Sequence, residues 1–357
     1  MTLIKQGIVV RKPDTFFGYY AWPTACIDEN GVIYIVCSGG RMGHMCPFGK
    51  ILMFKSCDGG ETFSLPTIVF DGYLDDRDPG LLYLGNGRML VTSCSHPTKT
   101  YLTDFRDWLY GDSGEAGLGL LRHYDQVPDE YKDGGCFYAV LRNYGETAGE
   151  KKHIPIHSTH GPILLRDGTV FYLGKELFYD GGSDRLFVSY VSRDGGKTFE
   201  RVAVCPYPEG YGSETFHEVH CGELPDGRII ALFRSHLTEN DHYFTIMKTV
   251  SADDGRTWSG WEKTGICGSP PHLCRLNDGR HILTYARRIE PYGIYGRIVE
   301  TDGGIGEKEY RLAECQDNDI GYPTSVQLPD GSIFTAYYAR VENDSMASIL
   351  YTKWTTE

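Results

Sequence analysis

The chain has 357 residues, 41% of them hydrophobic, with a formal net charge of −13, which leaves room for one large core or two small ones. That charge, with no Lys/Arg block, excludes a sequence-independent grip on nucleic acid phosphates. No apolar run approaches the ~18 residues of a membrane span, and Met1–Gly7 lacks the basic-then-apolar order of an export signal, so the chain is expected to be cytoplasmic with no membrane partner.

Glycine (44 residues) and tyrosine (25) are abundant, and short apolar runs repeatedly meet Asp-Gly or Asn-Gly, the composition of a turn-rich all-β protein. In chain order, an N-terminal strand at Gly7–Arg11 is expected to pair with the last apolar run, Ile349–Trp354. Six strand–turn–strand units follow, centred on Asn30-Gly31, Asn86-Gly87, Asp167-Gly168, Asp226-Gly227, Asp278-Gly279 and Asp330-Gly331. The expected architecture is a six-bladed β-propeller of four-stranded antiparallel blades, one domain over residues 1–357, because radial repetition leaves few open sheet edges. The long interval after the second hairpin, about residues 105–135, is expected to be a partly helical insertion, either a lid over the pocket or an oligomer contact. Eleven cysteines, an odd number, lie scattered in strand-like segments without a Cys-x-x-Cys pair. Buried free thiols are therefore expected, with no metal and no cofactor.

A second repeat interleaves with the hairpins. Ser56–Phe63, Ser192–Phe199 and Ser251–Trp258 each fit Ser-x-Asp-x-Gly-x-Thr followed by an aromatic residue. In that spacing the Asp accepts backbone N–H bonds, the Gly takes positive φ and the aromatic packs beneath. Asn143–Thr147 and Thr301–Gly304 read as degenerate copies. The pattern resembles the Asp-box of sialidases and related propellers.

In a propeller the innermost strands converge on the axis, so residues at the heads of the hairpins should share one cavity. Polar residues recur there: Arg41 and His44, Arg77 and Asp78, His160, Glu218, His220 and Arg234, His272 and Arg288, and Tyr322. Strand alternation places Arg77 and Asp78 on opposite faces and favours Glu218 and His220 as an inward pair. Glu218 to Arg234 resembles the sialidase stretch that supplies a glutamate and a carboxylate-binding arginine, and Tyr322 is similar to the tyrosine nucleophile. That resemblance implies Tyr322 activated by Glu218, since a phenol needs a proton acceptor at neutral pH. Two departures stand out. Ala21 occupies the place of one triad arginine, and His44 stands where the acid/base aspartate is usual. Arg41, Arg77 and Arg288 are candidates to rebuild the anion site, with Arg288 resembling the third triad arginine. Arg41–His44, His160-Gly161-Pro162 and Gly321-Tyr322-Pro323 together resemble bacterial BNR-repeat proteins.

These residues imply an exo-acting glycoside hydrolase on a terminal, acidic sugar of a small oligosaccharide or glycoside. Two rivals stay open. A uronic-acid lyase would use the same Tyr, His and Arg groups, and a non-catalytic sugar-binding propeller would share the fold.

Overall fold

The computed structural model describes residues 1–177, 185–237 and 243–356. Its strands form six antiparallel sheets arranged as blades. Each hairpin turn anticipated from Asn-Gly or Asp-Gly joins the first strand of a blade to the second. In blade one these are Tyr19–Ile27 and Ile33–Arg41; in blade two, Arg77–Gly85 and Arg88–Ser95. Blade four opens with Phe216–Glu223 and Ile229–Ser235, blade five with Ser269–Arg275 and His281–Arg287, and blade six with Gly321–Gln327 and Ile333–Arg340. Blade three differs in having its inner strand split into Ile156–His157 and Ile163–Leu164, both paired with Val170–Glu176.

The N-terminal strand, Thr2–Val10, is the outer strand of blade six and pairs with Ala347–Thr355, with Gly7 opposite Tyr351. This closes the ring, as the N- and C-terminal apolar runs led us to expect. The insertion lies between the second and third strands of blade two. It contains the helix Arg106–Leu120, bent at Gly114 (φ +59°), which continues as the 3-10 turn Leu121–Gln126. All eleven cysteines are free thiols. No helix among the described residues is long and apolar enough to cross a membrane.

The apolar core is not central. Six clusters of buried side chains each sit between two neighbouring blades, for example Val36, Met53, Leu81 and Val91 between blades one and two, and Ile35, Phe54, Phe334 and Tyr351 between one and six. A seventh cluster packs Tyr101, Leu109 and Tyr124 of the insertion on Met42 and Met45 of blade one. Inner strands are therefore buried on both faces, and outer ones such as Thr67–Phe70 are largely exposed.

The Ser-x-Asp-x-Gly-x-Thr turns join the third and fourth strands of blades one, three and four, and they hold the blades together. Asp194 Oδ1 accepts from Lys197 N (2.9 Å), Thr198 N (3.0 Å) and Ser192 Oγ (2.8 Å), and its Oδ2 accepts from Thr198 Oγ1 (2.6 Å). Asp58 and Asp253 receive the same kinds of bond. The glycine two residues before the Thr of each turn has positive φ and lies on the preceding blade, where a Cβ would strike Phe334 from Gly60 and Phe171 from Gly255 and crowd Leu90 from Gly196. Asp194→Ala should lower stability by about 1–2 kcal/mol, the range for losing an acceptor that caps backbone donors. Urea denaturation would check this, and a change within error would show the turn to be self-supporting.

Candidate active site

Five of the six inner strands carry a register irregularity near their start. It falls between Ala21 and Thr24, Arg77 and Gly80, Phe216 and Val219, Ser269 and His272, and Gly321 and Thr324. Such a bulge breaks alternation and re-aims side chains. Trp22, Asp78 and Tyr322, each preceding a proline, take φ of 55°, 51° and 50° within it.

The bulges open onto a cavity of about 930 Å³ lined by Tyr322, Glu218, His44, Arg77, Asp78, Arg234 and Arg288. Arg77 and Asp78 thus share one wall despite being adjacent, because the strand bends between them. The pairing of Glu218 with His220 expected from alternation does not occur. The bulge turns Glu218 and His217 to this cavity, while His220 lies in another.

Tyr322 Oη donates to Glu218 Oε1 (2.7 Å), and Arg234 Nη1 donates to both Glu218 oxygens (2.9 and 3.1 Å). Burial alone would raise the Glu218 carboxyl, but Arg234, His217, the Tyr322 hydrogen bond and Arg288 outweigh it and hold it down to about 2. Burial and then the Glu218 charge push the Tyr322 phenol well above its ordinary value, so it stays neutral. Arg288 lies 5.7 Å from the Tyr322 ring centroid and donates to Tyr338 Oη (3.1 Å). The Nε atoms of Arg234, Arg288 and Arg340 are buried and have no hydrogen-bond acceptor.

His44 stacks on Trp108 of the insertion helix (centroids 4.9 Å, planes 17° apart). Its Nδ1 is 3.3 Å from Tyr19 Oη and 3.5 Å from Asp319 Oδ1. Tyr19 Oη donates to Asp319 Oδ1 (2.9 Å), so Nδ1 carries the proton and Nε2 the lone pair. Burial lowers the imidazole below its ordinary value, against the opposing pull of Asp319.

Four expected site residues fall elsewhere. Arg41 is fully buried and spent on structure: it is paired with Asp75, which also accepts from Tyr101 Oη of the insertion, and it donates to the carbonyls of Gly43 (3.4 Å) and His44 (2.9 Å). It shapes the His44 loop from beneath. His160, His220 and His272 line a separate cavity of about 320 Å³ that also contains the hairpin ends Glu223 and Arg275. His220 Nδ1 accepts from Leu273 N of the next blade (2.9 Å), and His272 Nδ1 from Ser325 N (3.3 Å). His220 and His272 stack at 4.6 Å, and His160 lies 6.2 Å from the Tyr322 ring. Burial pushes all three imidazoles down, His220 to about 3, so they are neutral staples of the ring.

Sequence reasoning missed Asp319, Arg340, Asp112 and Trp22, all of which line the large cavity. Asp112 Oδ2 accepts from Met45 N (2.7 Å), which ties the insertion to the His44 loop. The repeated X-Pro at inner-strand heads was the available signal for Trp22.

Residues 149–335, more than half of the chain, match the model of the BNR repeat-like domain. No match to a curated protein was found. Among solved structures, a protein of unknown function from Dyadobacter fermentans is 20% identical over 99% of both chains, with a TM-score of 0.78. The leech intramolecular trans-sialidase is 14% identical over 99% of this chain and 70% of its own (TM-score 0.69). The NanB sialidase of Streptococcus pneumoniae is 14% identical over 100% and 71% (TM-score 0.68). At such identities the likeness is one of fold.

A depressed Glu218 carboxyl contributes stability that is present above its unfolded value of about 4.3 and is lost as pH falls towards about 2. Glu218→Gln should accordingly be less stable than the parent at neutral pH, with the gap closing across that acidic window. Denaturation midpoints across a pH series test this; a gap independent of pH would contradict the depressed value.

Proposed function

Because the chain belongs to the family of BNR repeat-like domains, we propose that it is an exo-acting glycoside hydrolase for a terminal, acidic sugar of a small oligosaccharide or glycoside. One observation carries this reading: the Tyr322 hydroxyl donates to Glu218 at 2.7 Å, in a cavity where the guanidinium Nε atoms of Arg234, Arg288 and Arg340 are buried without acceptors. Unmet buried donors are costly, and Arg77, Arg234, Arg288 and Arg340 in one cavity wall concentrate the positive charge that a sugar carboxylate would meet.

In the proposed reaction Tyr322 Oη attacks the anomeric carbon and its proton passes to Glu218. The glycosidic C–O bond breaks, and protonated His44 gives its proton to the departing oxygen. Neutral His44 then takes a proton from water, which attacks the glycosyl–tyrosine bond, and Glu218 returns its proton to the phenolate. A tyrosine nucleophile is the recognised sialidase exception to the two-carboxylate scheme. In the free protein Glu218 is a weak base. A bound carboxylate offsets the arginine field and raises its proton affinity. The insertion helix, with Phe105 and Trp108 in the cavity wall, suits a chain end rather than a chain interior.

The His44 geometry favours a second reading. An imidazole with Nδ1–H held by Tyr19 and Asp319 presents Nε2 as a base, the group that β-elimination from a uronic acid needs. Incubation with mixed acidic glycans separates the two: new reducing ends without ultraviolet absorbance mark hydrolysis, and both together mark a lyase.

Tyr322→Phe should nearly abolish turnover while leaving ligand affinity largely intact, since only the reacting oxygen is lost; a fully active variant would remove Tyr322 as nucleophile. Arg234→Ala should weaken a carboxylated sugar by about 2–5 kcal/mol and its neutral analogue far less, as titration calorimetry would read. For natural substrates, kcat/KM should fall as pH rises through a value below 6.5, because His44 must be protonated to act and its imidazole is lowered. Activated aryl glycosides should escape that fall, and an identical pH profile for both would exclude His44 as the acid.

A further inference from the structure

We propose that Asp78, Cys94 and His157 form a binding site for one divalent transition-metal ion, zinc by the character of the ligands, at the junction of blades two and three. The three residues come from three strands: the bulge of the blade-two inner strand, the neighbouring strand where Cys94 sits opposite Arg77, and the short strand Ile156–His157. One ligand atom of each lies within 4.8 Å of the other two.

The hydrogen-bond accounting points to a ligand. His157 is 6% exposed, yet neither ring nitrogen has a partner. A neutral imidazole has one donor and one acceptor, and each left unmet in the interior costs about 1–3 kcal/mol. Asp78 Oδ1 is buried and unpartnered too, while its Oδ2 accepts from Arg77 Nε (3.2 Å). Cys94 is 1% exposed and unbridged. An unsatisfied imidazole and an unsatisfied carboxylate oxygen beside a buried, unbridged thiol are the reverse of normal burial, and a single cation would satisfy them together.

Thiolate, imidazole and carboxylate form a mixed set suited to zinc. Bonds of about 2.0–2.3 Å place tetrahedral ligand atoms roughly 3.3–3.8 Å apart, about 1 Å closer than the 4.8 Å limit within which the three atoms now lie. Carboxylate and thiolate balance the ion's charge, which matters next to the Arg77 guanidinium. The ion would fasten the left-handed Asp78 turn, and with it Arg77, to blade three. Sequence spacing conceals the set, since Cys94 and His157 are 63 positions apart, beyond any linear zinc motif. The site does not depend on the glycosidase reading.

The test is metal content of the full chain produced with zinc under reducing conditions and then passed through a weak chelator. About one zinc per chain is expected, falling below about a tenth in Cys94→Ala and in His157→Gln, because loss of a ligand from a three-residue site removes most of its affinity. Cys57→Ala, which deletes the exposed thiol, should keep the ion. X-ray absorption of the zinc-loaded parent, which needs no variant to fold, should show one sulfur at about 2.3 Å among nitrogen and oxygen neighbours at about 2.0–2.1 Å. The proposal is overturned by a metal-free parent, by a sulfur-free shell, by ligand variants that retain zinc, or by loss of zinc in Cys57→Ala.

Discussion

Around the axis, the inner strands of neighbouring blades splay apart and cannot ladder, yet their backbone groups are buried and must be satisfied. Side chains bridge the gaps. Thr24 Oγ1 donates to Pro79 O (2.7 Å) from blade one to two, and an isolated bridge joins Gly80 to His160 from two to three. Ser158 Oγ accepts from Val219 N (2.9 Å), and His220 and His272 accept from Leu273 N and Ser325 N. Thr324 Oγ1 accepts from Ala25 N (3.0 Å) and completes the circle. His220, His272 and Thr324 occupy one equivalent position, two residues beyond Glu218, Pro270 and Tyr322 respectively, and each pairs with the second strand of its blade. The ring is stitched by a positional rule, and polar residues near the axis are in part its thread.

The bulge divides each inner strand into two uses. Residues within it, such as Trp22, Asp78, Glu218 and Tyr322, face the large cavity, and those just beyond it hold the ring. Positive φ at three non-glycine residues before proline is costly, of order 1–3 kcal/mol each, and is sustained because both flanks are fixed by the neighbouring blades. Strain of this kind gathers where side-chain direction matters more than local comfort, and the Tyr322–Glu218 contact depends on it.

The hairpins were legible because Asn-Gly and Asp-Gly supply a glycine at positive φ in every one of the six turns, and short apolar runs flank them. Tyr322, Glu218, Arg234 and Arg288 were placed in a common cavity by their contexts alone. Where the reading went astray, the cause was the bulge. Alternation assumes a regular strand, so it paired Glu218 with His220 and separated Arg77 from Asp78. Arg41 was misplaced for a different reason: its partner Asp75 is distant in sequence, and only tertiary burial shows that the charge is already spent. Asp319 and Arg340 escaped notice because neither residue stands inside a turn or repeat motif, although Asp319 lies just before Gly321-Tyr322-Pro323.

The outer strand of blade six is Thr2–Val10, and its partner is Ala347–Thr355. During synthesis Thr2–Val10 is therefore made long before the strand it pairs with. Blades one to five can assemble from local hairpins as they emerge, whereas the closing sheet is a contact of the highest order in the chain, formed after loop-closure entropy has been met by everything before it. Until that moment the ring is an open arc whose closing sheet edge is unpaired.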